Sequence, residues 1–383
     1  MEYMSASMID WNVAVQTGTR LVRPGPQVGQ AEAREVVAQL RELSRVAHGH
    51  VGDFTGMRAE AAPAPATIVD RPGWIRANVD GFRVVLEPLM EQMAERRGTG
   101  LLGSGGAGVV VQAVGSRVTG MQVGAILAYM ASRVLGQYEL FLPPDPSGRA
   151  PTGRLTLVAP NIVQVEQELG VDARDFRLWV CLHEETHRAQ FTGVSWLREY
   201  VQDQMTKFLL ASDLDPGALL DRLRDAADAI ADAVRGGESS LIDAIQTPEQ
   251  REILDRLTAV MTLVEGHGDY VMDAVGPEVV PSVQQIRAKF QRRREGGTRM
   301  DKTIRRLLGI DLKMRQYAEG SRFVHRVVAE VGMDGFNRVW DSAETLPTHD
   351  EIKEPALWMD RVLGPRAIEA TTPDAQTPEA NGA

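Results

Sequence analysis

A chain of 383 residues, 43% of them apolar, can build one large domain or two ordinary ones. Its net charge of −10 argues against a dedicated nucleic-acid binder, and its single cysteine, Cys181, excludes intrachain disulfides and thiolate zinc sites. Met1 to Val15 lacks the basic start and apolar run of a signal peptide, and the fifteen uncharged residues between Arg117 and Arg133 are too few to cross a bilayer. The expectation is a cytoplasmic protein with neither membrane nor nucleic-acid partners.

Residues 1–28 read as an irregular arm, because Pro24-Gly25-Pro26 breaks any helix. A helix is predicted over about 30–46, where Val36, Val37, Leu40 and Leu43 recur at helical spacing. Ala61 to Ala66 is an Ala/Pro linker, and Arg71-Pro72-Gly73 opens a second helix that runs to about Arg97. Gly98 to Gly108 reads as a glycine-rich hinge, without the Gly-Lys-Ser/Thr of a phosphate loop. The next helix carries Gly120, Gly124, Ala128, Ser132 and Gly136 every four residues, a stripe that lets another helix approach closely.

Tyr138 to Leu142 and Leu155 to Val158 are β-prone and bounded by proline and glycine, which predicts a small antiparallel sheet. From Asp172, an N-cap, the chain reads as helix again, with Phe176, Val180, His183 and His187 along one face. Further helices are predicted at roughly 193–213, 216–234, 247–274, 281–294, 300–308, 311–331 and 334–341. The basic stretch Arg287 to Arg306 reads as a solvated helix face, and residues 365–383 as a disordered tail. The pattern predicts a mainly α (α+β) class. It divides into an arm (1–28), one large, mostly helical domain (29–364) and a tail (365–383), the domain comprising a helical part (29–137) and a metal-site part (138–364).

The chemistry lies in Cys181-Leu182-His183-Glu184-Glu185-Thr186-His187, a His-Glu-x-x-His on a predicted helix. Residues four apart share a helical face, so both imidazoles reach one metal ion. Glu184 sits beside the ion, where its carboxylate can take a proton from a bound water whose pKa zinc lowers to about 7.

A catalytic zinc needs a third protein ligand, and Val264-Glu265-Gly266-His267-Gly268-Asp269-Tyr270 supplies candidates. His267 is two residues from Glu265, about 200° around a helix, so both cannot face the same ion. Glu265 is the chosen ligand, and Asp269, one turn on, is placed to accept a ring N–H of a ligand histidine. An ordinary charged face is the competing reading of this acidic pair. His267 is a third ligand, a donor to transition-state charge, or plain structure. Gly266 and Gly268 weaken the helix by up to about 1 kcal/mol each, which points to close contact with the His-Glu-x-x-His helix or a substrate.

His183-Glu184-x-x-His187 followed by Glu265-x-x-x-Asp269 resembles the gluzincin branch of the zincin metallopeptidases. The phrases LFLP, APNI, HEETHRAQF and EGHGDYVMD extend the likeness over most of residues 10–365. They are similar to a bacterial family of zincin-like metallopeptidases labelled as associated with deazaflavin-coenzyme biosynthesis. The resemblance implies a zincin-like fold, a small sheet in a helical surround and a Zn2+ cofactor. Gluzincins also use a downstream His or Tyr on the oxyanion. No motif marks it in this chain, and Tyr270, His267 and His325 are the candidates.

The reading that follows is a zinc hydrolase, a metallopeptidase that cuts an amide bond in a peptide or small amide, with Glu184 as general base. Leu155 to Val158 is the expected cleft edge for an extended substrate. Two rivals remain: a degenerate zincin kept as a metal-binding interaction protein, and a small-molecule amidohydrolase. The retained Glu184 argues against the first, and the shape of the pocket separates the second from a peptidase.

Overall fold

The computed structural model describes residues 9–59, 64–97, 106–144, 153–211, 248–295 and 310–364. The expected helices at 216–234 and 300–308, the tail at 365–383, most of the glycine-rich hinge and part of the Ala/Pro linker lie outside the described residues. The elements in order are α1 (Trp11–Leu21), α2 (Gln30–Thr55), β1 (Thr67–Val69), α3 (Arg71–Arg97), α4 (Gly106–Ala131), β2 (Gly136–Glu139), β3 (Arg154–Val158), α5 (Ala159–Leu169), α6 (Ala173–Gly193) and α7 (Leu197–Leu210). After residue 247 come α8 (Pro248–Ala274), α9 (Val283–Glu295), α10 (Ile310–Asn337, kinked at Gly332), α11 (His349–Lys353) and α12 (Pro355–Val362). No described helix is long and apolar enough to cross a membrane.

The chain is mainly α with one small sheet, as expected, but the sheet is mixed. β2 and β3 pair antiparallel, and β1, too short to stand out in the sequence, adds parallel to the other side of β3. The order β1-β3-β2 makes β3 the central strand. The edge beside the site is therefore β2, in place of the expected Leu155 to Val158.

The arm is also corrected, because α1 is a helix. Asp10 caps it by accepting from Val13 N–H at 3.0 Å, and Trp11, Ala14 and Gly18 bury one face at helical spacing. That face meets the glycine stripe of α4. A Cβ on Gly120 would lie 2.4 Å from the Asp10 carbonyl oxygen, and one on Gly124 2.5 Å from that of Ala14. The stripe stops earlier than its spacing implies, since α4 ends at Ala131 and Gly136 opens β2.

α6 is the central element. Its Asp172 N-cap forms as expected, accepting from Asp175 N–H at 2.9 Å. Phe176, Leu178, Val180 and Leu182 pack into a core with α2, α5 and β3, and Phe191 joins a second core with α7, α8 and α10. Being buried nearly all round, α6 also carries polar groups inside, and each needs a partner. Arg177 pairs with Glu166, and Glu185 accepts from Ser44 and lies 3.3 Å from His48 Nδ1, which ties α6 to α5 and α2.

α8 crosses α10 at two glycines. A Cβ on Gly266 would sit 2.2 Å from the Gly320 carbonyl carbon, and one on Gly320 2.0 Å from the Thr262 oxygen. Gly49 on α2 is exposed, with nothing within 4 Å of an added Cβ. Gly320→Ala should therefore destabilise the fold by about 1–3 kcal/mol, while Gly49→Ala raises stability by about 0.5–1 kcal/mol. Urea unfolding of both variants checks this, and two changes of the same sign would contradict the packing.

Candidate metal centre

His183 and His187 project from α6, and Glu265 from α8, into one cavity. Their ligand atoms form a triangle. Nε2 of His183 and Nε2 of His187 are 3.1 Å apart, and Oε2 of Glu265 lies 3.6 Å from the first and 3.7 Å from the second. Metal–ligand bonds of about 2.0–2.1 Å in a tetrahedron require ligand atoms about 3.3–3.4 Å apart. The three side chains fit a zinc ion closely. Among the described residues they are the group of His, Cys, Asp and Glu side chains whose ligand atoms converge this way.

The protonation pattern follows from one amide. Gln190 Nε2 donates to the Val264 carbonyl at 2.9 Å, which fixes the orientation of the amide group. Oε1 must then accept from His187 Nδ1–H at 2.9 Å, leaving the lone pair of His187 on Nε2, toward the site. The second amide hydrogen goes to His267 Nδ1 at 3.0 Å, so His267 carries its proton on Nε2.

Burial shapes the charges. It pulls His187 below the ordinary imidazole range and so keeps it neutral. Burial acts the same way on His183, but the Glu265 carboxylate 3.6 Å away and the charges of Glu184 and Asp269 override it and push its pKa up to about 9. The carboxylates that hold an imidazolium there are those a divalent cation would meet, so metal uptake requires His183 to give up its proton. Burial pushes Glu184 up to about 7, with the negative charges of Glu265 and Glu185 adding to it against the lowering effect of His183.

Two polar atoms at the centre are buried without a hydrogen-bond partner, His183 Nδ1 and Glu184 Oε2. The Asp269 carboxylate lies 3.9 Å from His183 Nδ1, on the expected side but beyond bonding distance. Glu184 lies against β2 because Gly136 has no side chain. A Cβ there would be 2.7 Å from the Glu184 carboxyl carbon.

The structure brings together His183, Glu184, His187, Glu265 and Asp269, all of which line a cavity of about 910 Å³. It does not bring His267, Tyr270 or His325 to that cavity. His267 is fully buried behind Gln190, against Phe336 and Trp340, and burial pushes it down to about 3. His267, one of the candidates for a transition-state donor, thus lies outside the cavity, packed against Phe336 and Trp340 and bonded to Gln190. Tyr270 stands edge-on to His325, with ring centroids 4.7 Å apart, and rests on Phe54. Gly268 does touch the His-Glu-x-x-His helix: an added Cβ would be 3.0 Å from His183 Cε1. Gly266 serves the α10 crossing instead.

Sequence reasoning missed Gln190 and Gly136. Gln190 was legible in principle, three residues after His187 on the same helical face. Gly136 was not, because its contact with Glu184 is tertiary.

Residues 9–359 match the model of a family described as zincin-like metallopeptidases. The chain is also similar to the crystal structure of a candidate hydrolase with a novel fold from Chloroflexus aurantiacus. The two share 32% identity over 92% of this chain and 98% of that one, with a TM-score of 0.64. A comparison with curated proteins found no match. The chain belongs to the zincin-like metallopeptidase family.

Gln190→Ala removes the acceptor that orients His187, and zinc affinity should fall about 10–100-fold. Competition with a chromophoric chelator measures it, with near-UV circular dichroism as the check on folding. Wild-type affinity in a folded variant would contradict the assigned role.

Proposed function

We propose that this zincin-like metallopeptidase is a zinc-dependent hydrolase that cuts an amide bond in a short peptide or peptide-like amide. The observation that carries the reading is the placement of Glu184. Its carboxylate is buried beside three convergent ligand atoms, has one unpartnered oxygen and holds a pKa near 7.

His183, His187 and Glu265 hold the ion in this reading. Zinc, when bound, supplies a Lewis acid that polarises a carbonyl and lowers the pKa of water to about 7. Glu184 takes the proton of the attacking water and passes it to the leaving amine. Gln190 keeps His187 in the metal-binding tautomer, and Asp269 faces the outer nitrogen of His183. β2 lies along the cavity through Gly136, Gln137 and Tyr138, so an extended substrate aligns with that edge strand.

A cavity of about 910 Å³ lies near the upper end of ordinary small-molecule sites, about 300–1,000 Å³. That size favours a short peptide or a compact amide over a long unfolded chain. A degenerate, purely structural site has no use for a carboxylate in Glu184's position.

The test is metal content by elemental analysis together with cleavage of a short-peptide library. The wild type should hold about one zinc per chain, and His183→Ala should lose it. Glu184→Gln should keep the metal and lower kcat by about 10²–10⁴. A Glu184→Gln protein as active as the wild type, or a wild type that takes up no zinc on reconstitution, would overturn the reading.

A further inference from the structure

The cavity has a second wall, built on α5, whose chemistry differs from that of the metal centre. Asn161 Nδ2 donates to the carbonyls of Ala131 and Val134, which fixes the turn that carries Arg133. Its Oδ1 accepts from Arg71 Nε at 2.6 Å. Arg71 also donates to Gln164 Oε1, and Gln164 Nε2 donates to Glu168 at 2.6 Å. Glu168 in turn accepts from Arg293 Nε at 2.8 Å. One hydrogen-bonded network thus holds the guanidinium groups of Arg71 and Arg293 and the turn that carries Arg133, and all three residues line the cavity.

The charge on this wall is unbalanced. Arg71 is 3% exposed, yet its bonds run to two main-chain carbonyls, of Arg23 and Pro24, and to two neutral amide oxygens. A buried guanidinium always carries its charge and is costly without an anion. Glu168 is the one carboxylate in the network among the described residues, against two arginines, Arg71 and Arg293. Arg133 lies flat over the Tyr129 ring, its guanidinium carbon 3.6 Å from the centroid. The Tyr129 hydroxyl is itself buried without a hydrogen-bond partner and lines the same cavity. A net positive wall with a spare hydroxyl donor, inside a protein of net charge −10, is a place for an anion.

We propose that this wall binds an anionic group of the substrate, a carboxylate or a phosphate, through Arg71, Arg133 and Arg293 while the amide to be cut lies at Glu184. The assignment to a substrate rests on the hydrolase reading; the anion site itself does not. The guanidinium fork matches either oxyanion, and the network pre-sets its orientation, so little ordering is lost on binding.

The first arm of the test is calorimetric titration of the zinc-free protein with inorganic phosphate and with succinate at low ionic strength. Saturable one-to-one binding of at least one is expected, weakened about tenfold in Arg133→Gln and in Arg293→Gln. Both side chains are exposed at their outer ends, so these variants spare the buried Arg71. Absence of saturable binding, unchanged affinity in both variants, or binding only after zinc is loaded would overturn the proposal.

The second arm gives the zinc-loaded protein N-acetylated peptides with a free C-terminal carboxylate, the same peptides amidated, and amidated peptides bearing phosphoserine. Preference for the acids identifies a carboxylate and preference for the phosphopeptides a phosphate, and in either case Arg133→Gln should lose it through KM. Equal cleavage of all three sets overturns the substrate assignment. Cleavage of none, with the titration intact, contradicts the hydrolase reading and leaves the anion site standing.

Discussion

The Gln190 amide ties α6 to α8 through two hydrogen bonds, to the Val264 carbonyl and to His267, and makes a third to His187 on its own helix. Each is worth only about 1 kcal/mol net, but a buried group left without its partner costs about 1–3 kcal/mol. The amide can therefore sit in one orientation only, and that orientation dictates which nitrogen of His187 faces the site. The approach of the two helices and the tautomer of His187 are set by the same amide. The glycines at the next crossing, Gly266 and Gly320, let α10 back this arrangement at backbone distance.

Two neighbouring carboxylates show how environment divides labour. Glu184 and Glu185 are adjacent on α6 and both buried. Glu185 turns toward α2, where Ser44, His48 and Arg188 surround it, and it anchors the helix. Glu184 turns toward the cavity, against the bare backbone of Gly136, and keeps an oxygen without a partner. Burial without compensating bonds raises its pKa, and in the proposed mechanism that is what makes it a usable base.

Much of this was legible in the sequence wherever the signal was local. Spacings of four put His183 with His187 and Glu265 with Asp269, and the Asp172 cap and the Arg71–Arg97 helix were readable from their end signals. The same helical geometry placed His267 away from Glu265, and it does lie on another face. What failed was tertiary. α1 is rich in Thr, Gln and Asn, and it is a helix because α4 offers a glycine groove. β1 has three residues and exists because β3 pairs with it. The arginine wall draws on α3, α9 and the turn after α4, held together by α5, and no linear spacing announces it.

The central claim is that two imidazoles from α6 and one carboxylate from α8 hold a single zinc. X-ray absorption at the zinc edge of the loaded protein tests it most directly. The account predicts a shell of nitrogen and oxygen at about 2.0–2.1 Å, with the multiple-scattering signature of two imidazoles and no sulfur. A third imidazole, or a sulfur at about 2.3 Å from Cys181, would contradict the geometry on which everything else is built.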